Sequence, residues 1–320
     1  MSNPSLKMPP FFSVVIPTYN RSDSISRTLR SVMGQSFSDF ECIVVDDGSA
    51  DIEKLMSVVE SLNDSRFKVV TRENGGGGAA RNTGIDACAG RYIAFLDSDD
   101  LFTTDKLQRF FDVLSVEPHQ AMYSYANVDR GVIGKMWQRP DRPIAAQESM
   151  GSYLFISNQF VQTSTIVIQK DVAGKVRFDP ALRKGQDLDF CLRLDKAGVR
   201  FQMLERPLVI WTDVSEIGRT SRHAGAKAPT EWLRTHSHLM TPQEIMGYRA
   251  TVLAYYQPKY KFLTVGKDLL AGVLIAKVPA RIAMRQLLRF SLPRGVYRGL
   301  VSFAVKKLSQ KAAAGEPSAN

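Results

Sequence analysis

An open, doubly wound α/β sheet is the fold class this sequence predicts for its first 115 residues, and two observations carry it. Short apolar runs alternate with amphipathic helical stretches in a βαβαβαβα order. Two of those runs end in acidic clusters, Asp46-Asp47 and Asp97-Ser98-Asp99-Asp100. Open sheets of this kind bind ligands beyond the carboxyl ends of their strands, so both clusters are expected to face one crevice. Carboxylates gathered there are costly unless they hold a metal, a ribose or a base. The pattern points to a nucleotide and a divalent cation held together.

Each element has its own warrant. Residues 12–17 form a short apolar run closed by Pro17 and read as a buried strand. The next helix places Ile25, Leu29, Val32 and Met33 at helical spacing, with Ser22 or Asp23 available as its N-cap. A strand at 42–45 follows, then a helix carrying Ile52, Leu55, Met56, Val59 and Leu62. The third strand is 67–71, and a helix over 79–89 is expected to stop at Gly90 as a C-cap glycine. A strand at 92–96 and a helix at 106–114 complete the alternation. From 121 to 211 the chain mixes β-like runs (122–128, 165–169, 204–211) with one clear helix, 188–197, closed by Gly198. Two further helices are expected, one opening at Pro279 and one after Pro293, because proline suits a first helical turn. Residues 312–320 read as a loose tail.

Composition bounds the answer further. The 320 residues are 44% hydrophobic and 23% charged, ordinary for a globular protein with a substantial core. Net charge is +10, but residues 259–311 hold twelve Lys and Arg against Asp268 alone, and 312–320 add only Glu316. Residues 1–258 therefore balance to zero, and the basicity belongs to the C-terminal quarter. Cys42, Cys88 and Cys191 lie in apolar runs without metal spacing and are expected to be buried free thiols, which fits a reducing cytosol. No signal peptide is read at the N-terminus, and the apolar run 269–276 is far short of the roughly 20 residues of a spanning helix.

Several segments carry chemistry. At Pro17-Thr18-Tyr19-Asn20 the strand ends, leaving Tyr19 to stack on a base and Thr18 to hydrogen-bond, or simply a turn with a surface tyrosine. Asp46-Asp47-Gly48 can likewise begin a turn. The run 74–78 enters a helix bearing Arg81; glycines let backbone approach a diphosphate, and a helix N-terminus favours anions. Asp97 and Asp99, at i and i+2 of an extended segment, can share one ion, with Asp99 the first ligand. Hard oxygen ligands suit Mg²⁺ or Mn²⁺. Asp187, opening the helix with Leu188, Leu192 and Leu194, is readable as a cap or as a functional carboxylate, with Asp189 the second choice. His236 and His238 are too close in sequence for a helical zinc pair, and His223 stands apart from both.

Read in order, these segments resemble the motifs of the family 2 glycosyltransferases over roughly residues 12–215. They are Val15 to Asn20, Val44 to Ser49, Asn74 to Gly78 with Ala80 to Ile85, Phe95 to Asp100, and Gly185 to Phe190. The resemblance implies the GT-A fold, a Rossmann-like, mostly parallel central sheet with flanking helices, over residues 1–220. It divides that domain into a nucleotide-binding half (12–115) and an acceptor half (116–220). A connecting segment (221–258) and a basic amphipathic helical region (259–311) follow. It also implies an inverting, metal-dependent enzyme of the bacterial exopolysaccharide type. Its donor would be a UDP-sugar, its acceptor a glycan or a polyprenyl-diphosphate-linked oligosaccharide. Pro17, Thr18, Tyr19, Asn20, Asp46, Asp47, Gly75, Arg81, Asp97 and Ser98 become the expected nucleotide site, with Asp47 at the uracil edge. Asp99 and Asp97 become the metal ligands and Asp187 the base. Gln186 stands where the family usually has Glu, and Arg219 and Arg222 fall where such enzymes close a loop over the diphosphate.

Arg281, Arg285 and Arg289 recur every four residues, with Ala283, Met284, Leu287, Leu288 and Phe290 mostly opposite. Val296 to Phe303 repeat the pattern beside Arg294, Arg298 and Lys306. This region reads either as helices packed on the catalytic domain or as an anchor for an anionic membrane surface, placing the enzyme peripherally at the inner face of the cell membrane. No nucleic-acid module accompanies the basic residues. Two rivals to the enzyme reading are a nucleotidyltransferase of similar fold and a non-catalytic membrane-binding protein. The first lacks a basic glycine-rich loop near the N-terminus; the second does not explain Asp99 and Asp187.

Overall fold

The computed structural model describes residues 8–131, 136–213, 226–293, 295–297 and 299. Two compact units emerge, Met1–Leu154 with Gln159–Arg222 and Phe155–Asn158 with His223–Asn320.

In the first unit, β1 (Phe12–Thr18), β2 (Phe40–Asp46), β3 (Phe67–Thr71) and β4 (Tyr92–Phe95) lie parallel in the order β3-β2-β1-β4. They are joined by α1 (Ser26–Met33), α2 (Ile52–Glu60) and α3 (Gly77–Ala87). β1 is buried along its whole length because both faces of the sheet are covered, so it reads as a continuous apolar run instead of an alternation. Phe12, Val14 and Ile16 enter a core with Leu29 and Val32 of α1. On α3, a Cβ at Gly84 would sit 2.3 Å from Val15 Cγ1. The register pairs Thr18 with Asp46 and Val15 with Phe95, so the carboxyl ends of β1, β2 and β4 open on one edge.

Beyond β4 come β5 (Leu101–Phe102), α4 (Lys106–Leu114), β6 (Ala121–Asp129), β7 (Met136–Arg139), β8 (Val167–Gln169), α5 (Lys170–Val176), α6 (Gln186–Lys196) and β9 (Phe201–Thr212). The sheet continues β4-β8-β6-β9-β5, with β7 off β6. β8 is antiparallel to β4 and β6, while β6 and β9 pair in parallel. β5, β7 and α5 had no sequence reading of their own; β5 and β7 have two and four residues, too few for a period to show.

Three local expectations are corrected. Neither Ser22 nor Asp23 caps α1: Ile25 holds that position without a side-chain bond, and the Ser22 N–H donates to Asp51 Oδ2 instead. α3 starts inside the glycine run and ends at Ala87, so Gly90 is no C-cap. A Cβ at Gly90 would lie 2.7 Å from the backbone of Phe12 and Ser13, which makes close approach to β1 its requirement. α6 begins at Gln186, while Gly198 does close it, with φ +83°.

The second unit is helical: α7 (Lys227–His236), α8 (Pro242–Tyr248), α9 (Ala254–Tyr256), α10 (Phe262–Leu274) and α11 (Ala280–Ser291). Thr241 and Glu244 form a reciprocal capping box at α8, with Pro242 in its first turn. Val265 and Leu269 of α10 meet Ile282 and Phe290 of α11 in a cluster with Ala250 and Ala254. Of the segment 221–258, expected as a connection, residues 221–225 lie outside the described residues and 226–258 are mostly helical and fall in this unit. α11 opens directly after Pro279, as its sequence predicted.

Candidate functional site

The loop leaving β1 and the loop leaving β2 are tied together by Asn20. Its N–H donates to Ser49 Oγ, its Oδ1 accepts from the Ala50 N–H, and its φ is +50°. Pro17 and Thr18 are buried, whereas Tyr19 is half exposed beside them. Asp46 accepts the Gly48 and Ser49 N–H groups on Oδ2 (3.2 and 3.0 Å). Its buried Oδ1, like the buried Thr18 Oγ1 on the paired strand, has no partner among the described residues. Asp47 is fully engaged: Oδ1 accepts from Gly75 N–H (3.0 Å) and is ion-paired with Arg72, and Oδ2 accepts from Gly76 N–H (2.7 Å). Of the two carboxylates offered to a base by the sequence, the structure leaves an orphaned oxygen on Asp46.

The glycine run is built for approach. A Cβ at Gly75 would collide with Arg72 and Ala79, Gly76 has φ +85°, and one at Gly78 would lie 2.9 Å from Asp179 O. Arg81 then makes the central tie of the site. Its guanidinium donates to Gln186 Oε1 (2.5 Å) and to Asp97 Oδ1, with Phe178 beneath it (5.3 Å to the ring centroid). Asn82 adds a two-way bond with the Phe178 backbone. Helix α3, the first acidic cluster residue and the start of α6 are thereby fixed to one another.

The cluster itself rests on a buried tier. Asp100 accepts from Ser164 Oγ (2.7 Å), Gln162 Nε2 (2.6 Å) and the Thr212 N–H (3.0 Å), and Thr28 Oγ1 donates to the carbonyls of Ser98 and Asp100. Burial, reinforced by Asp97 and Asp99, holds the Asp100 carboxyl well above the usual range. Lys106, wholly buried between the Phe102 and Phe110 rings, donates to Ser164 O (3.1 Å); burial brings its pKa down to about 7. Ser98, expected among the nucleotide contacts, is buried in this tier.

Asp97 and Asp99 remain open enough to bind: their side chains are 29% and 28% exposed, with Arg81 on the first and Arg21 on the second (3.3 Å). A pair of hard carboxylates fits Mg²⁺ or Mn²⁺, which accept few protein ligands and complete their shell with phosphate and water. Among the described residues no cluster of three or more His, Cys, Asp or Glu offers a fuller cage.

At α6 the two candidate bases separate. Asp189 is fully buried and paired with Arg193 (2.6 Å), which also caps the carbonyls of Val176 and Arg177. Asp187 is half-buried, bonded to the Leu188 N–H, and does not cap the helix from the N-cap position, which Gly185 occupies. Burial raises its pKa to about 6; Asp97 adds to the rise and Arg81 opposes it. The buried Gln162 and Ser164 had no sequence reading, and Asn74 and Asn82, though inside the glycine-run and Arg81 motifs, had been given no role of their own. His236 stacks on Trp232 (4.9 Å), which accounts for it. The three cysteines are buried and free. Arg219, Arg222 and His223 lie outside the described residues.

Comparison with known proteins bears on the family and the fold. The glycosyl transferase family 2 profile matches residues 13–177. The amylovoran biosynthesis glycosyltransferase AmsB of Erwinia amylovora is 36% identical over 278 residues, 83% of this chain and 89% of that one. Among solved structures, S. aureus TarS 1–349 in complex with UDP-GlcNAc superposes with a TM-score of 0.60 at 18% identity, covering 87% of this chain and 86% of that one. The mannosyltransferase PcManGT from Pyrobaculum calidifontis, in complex with GDP-Man and Mn²⁺, gives 0.53 at 18% identity, covering 95% and 89%. The chain belongs to glycosyl transferase family 2 and has the GT-A fold, and with that the nucleotidyltransferase and non-catalytic readings are set aside.

Proposed function

We propose that this glycosyltransferase moves a sugar from a UDP-sugar, with inversion, to a hydroxyl of a lipid-linked oligosaccharide in bacterial exopolysaccharide synthesis. The observation that carries the proposal is Asp187: a half-buried carboxylate beside the Arg81–Asp97 tie, while its neighbour Asp189 is locked to Arg193. UDP-GlcNAc in TarS and the amylovoran role of AmsB support the donor class and the product class.

Uracil would be read at the ends of β1 and β2, where Asp46 Oδ1 and Thr18 Oγ1 have no partner among the described residues and Tyr19 is exposed for stacking. The diphosphate would lie along the glycine run at the start of α3. Asp97 and Asp99 would hold Mg²⁺ or Mn²⁺, which would supply positive charge to offset that of the departing diphosphate. Asp187 takes the proton of the acceptor hydroxyl as that oxygen bonds to the anomeric carbon. The bond from that carbon to the diphosphate oxygen breaks in the same step, and its electron pair leaves with UDP. Arg81 orients Asp97 and Gln186, keeping the metal pair and the base in one frame. The basic C-terminal region would keep the enzyme at the inner face of the cell membrane, where a lipid-linked acceptor resides.

The test is a panel of UDP-sugars with bacterial lipid extract, purified enzyme, and either Mg²⁺, Mn²⁺ or chelator. Metal-dependent transfer giving a product of inverted anomeric configuration is expected. A product of retained configuration, or transfer only from another nucleotide class, would overturn the mechanism or the donor.

A further inference from the structure

The stripe of Arg281, Arg285 and Arg289 is less exposed than its spacing implies. Of the three only Arg281 is exposed; Arg289 lies over the Tyr255 ring at 4.2 Å, and Arg285 is half-buried. What α10 and α11 turn outward is instead a mixture of apolar and basic side chains. On α10 the inward stripe is Val265, Asp268, Leu269 and Gly272. Away from it Phe262, Leu263, Leu270 and Leu274 are 60–67% exposed. α11 buries Ile282, Gln286 and Phe290 and leaves Met284, Leu287 and Leu288 42–57% exposed. Both inward stripes enter one cluster, so the outward stripes belong to the outside of the same helix pair.

Charge decides what fits. Lys259, Lys261, Lys267, Lys277 and Arg281 are all exposed around these apolar side chains. The single acid between residues 259 and 293, Asp268, is buried and paired with Arg249 (2.7 Å). Protein interfaces are depleted in lysine at their apolar centre. A surface of large apolar side chains rimmed by lysine matches an interfacial helix, whose apolar face enters the acyl boundary while lysine stems reach back to anionic headgroups.

We propose that α10 and α11 form a membrane-inserting face in which Phe262, Leu263, Leu270, Leu274, Leu287 and Leu288 enter an anionic bilayer below its phosphates. This rests on the peripheral placement proposed above and deepens it, since adsorption by charge alone needs no insertion. Two-part binding has a distinct signature: charge gathers the protein, and apolar burial keeps it when salt is raised.

Full-length protein is floated with phosphatidylglycerol/phosphatidylethanolamine vesicles and with pure phosphatidylcholine vesicles, at physiological salt and at 1 M, where the screening length falls from about 8 Å to about 3 Å. The parent should bind the anionic vesicles and keep a bound fraction at 1 M salt. Leu270→Ser, Leu274→Ser and Leu287→Ser together should remove that salt-resistant fraction, weakening binding by about tenfold or more. Lys267→Glu, Lys277→Glu and Arg281→Glu should remove the preference for anionic lipid. The substituted side chains are exposed, and unchanged thermal melts confirm folding. Complete release of the parent by 1 M salt would overturn insertion and leave adsorption by charge standing. No binding at physiological salt would overturn both insertion and the membrane placement. Self-association of the parent that the serine variant abolishes, without vesicle binding, would assign the face to a second copy. UDP-sugar turnover measured in parallel keeps the glycosyltransferase reading separate from each outcome.

Discussion

Asp187 and Asp189 stand two residues apart at the start of α6, yet one faces a guanidinium at 2.6 Å and the other does not. That difference gives the mechanism its sharpest test. Asp187→Asn preserves volume and loses the proton acceptor, so kcat should fall by about 10²–10⁴ with UDP binding near the parental value. The pKa of about 6 adds two forecasts. As a base Asp187 must be ionised, so kcat/KM should rise with pH through about 6. The folded pKa lies above the unfolded one, so between them the folded state holds more proton and stability falls as pH rises. Asp187→Asn removes that loss and should be at least as stable as the parent at pH 7 by urea denaturation. A stability loss with normal turnover would return the residue to a capping role. At Asp99 the neutral amide of Asp99→Asn is a poor ligand, so metal-dependent turnover should disappear with the melting profile intact. Full turnover in that variant, or in excess chelator, would remove the metal assignment.

At the scale of elements, much of the first half was legible because periodicity is local. β1, β2, β3 and β4 each sit where an apolar run predicted them, since strands covered on both faces need no alternation to be seen. The ties between elements were not legible. Nothing in the spacing of Asp46 and Asp47 says which oxygen the glycine loop returns to occupy, and Arg81 meets Gln186 across 105 residues of sequence. The run 74–78 was expected to lead into a helix beginning at 79, yet Gly77 and Gly78 are already helical, because the close approach that excludes a side chain is tertiary. Two glycines test this distinction. Gly84→Ala forces a Cβ against Val15, a β-branched side chain on a fully buried strand that cannot give way, and should cost about 1–3 kcal/mol. Gly174→Ala in α5, where a Cβ meets nothing within 4 Å, should instead add about 0.4–1 kcal/mol by restricting the unfolded chain. Denaturant midpoints on both variants read the sign directly. Equal effects would mean that helix propensity alone governs these positions.

At the scale of the whole chain, charge and chemistry are kept apart. Residues 1–258 balance to zero, and the +10 resides in 259–320. The UDP-sugar proposed as donor would therefore have to be held by short-range contacts, whereas the long-range attraction available to this protein acts through its C-terminal quarter. Deleting residues 259–320 would not test this cleanly, since it strips Val265, Leu269, Ile282 and Phe290 from the cluster containing Ala250 and Ala254. Reversing the exposed Lys267, Lys277 and Arg281 to Glu leaves that cluster in place. Each basic residue near an anionic surface is worth about 1 kcal/mol, so three reversals should lower turnover of a vesicle-borne acceptor by more than tenfold. With a water-soluble acceptor the same variant should keep its UDP-sugar KM within about twofold, because no contact to the donor site is altered. Measuring both acceptors on one preparation separates the two roles. Equal losses on both would mean that these residues support the catalytic unit or draw in the donor, and the division of charge from chemistry would not hold.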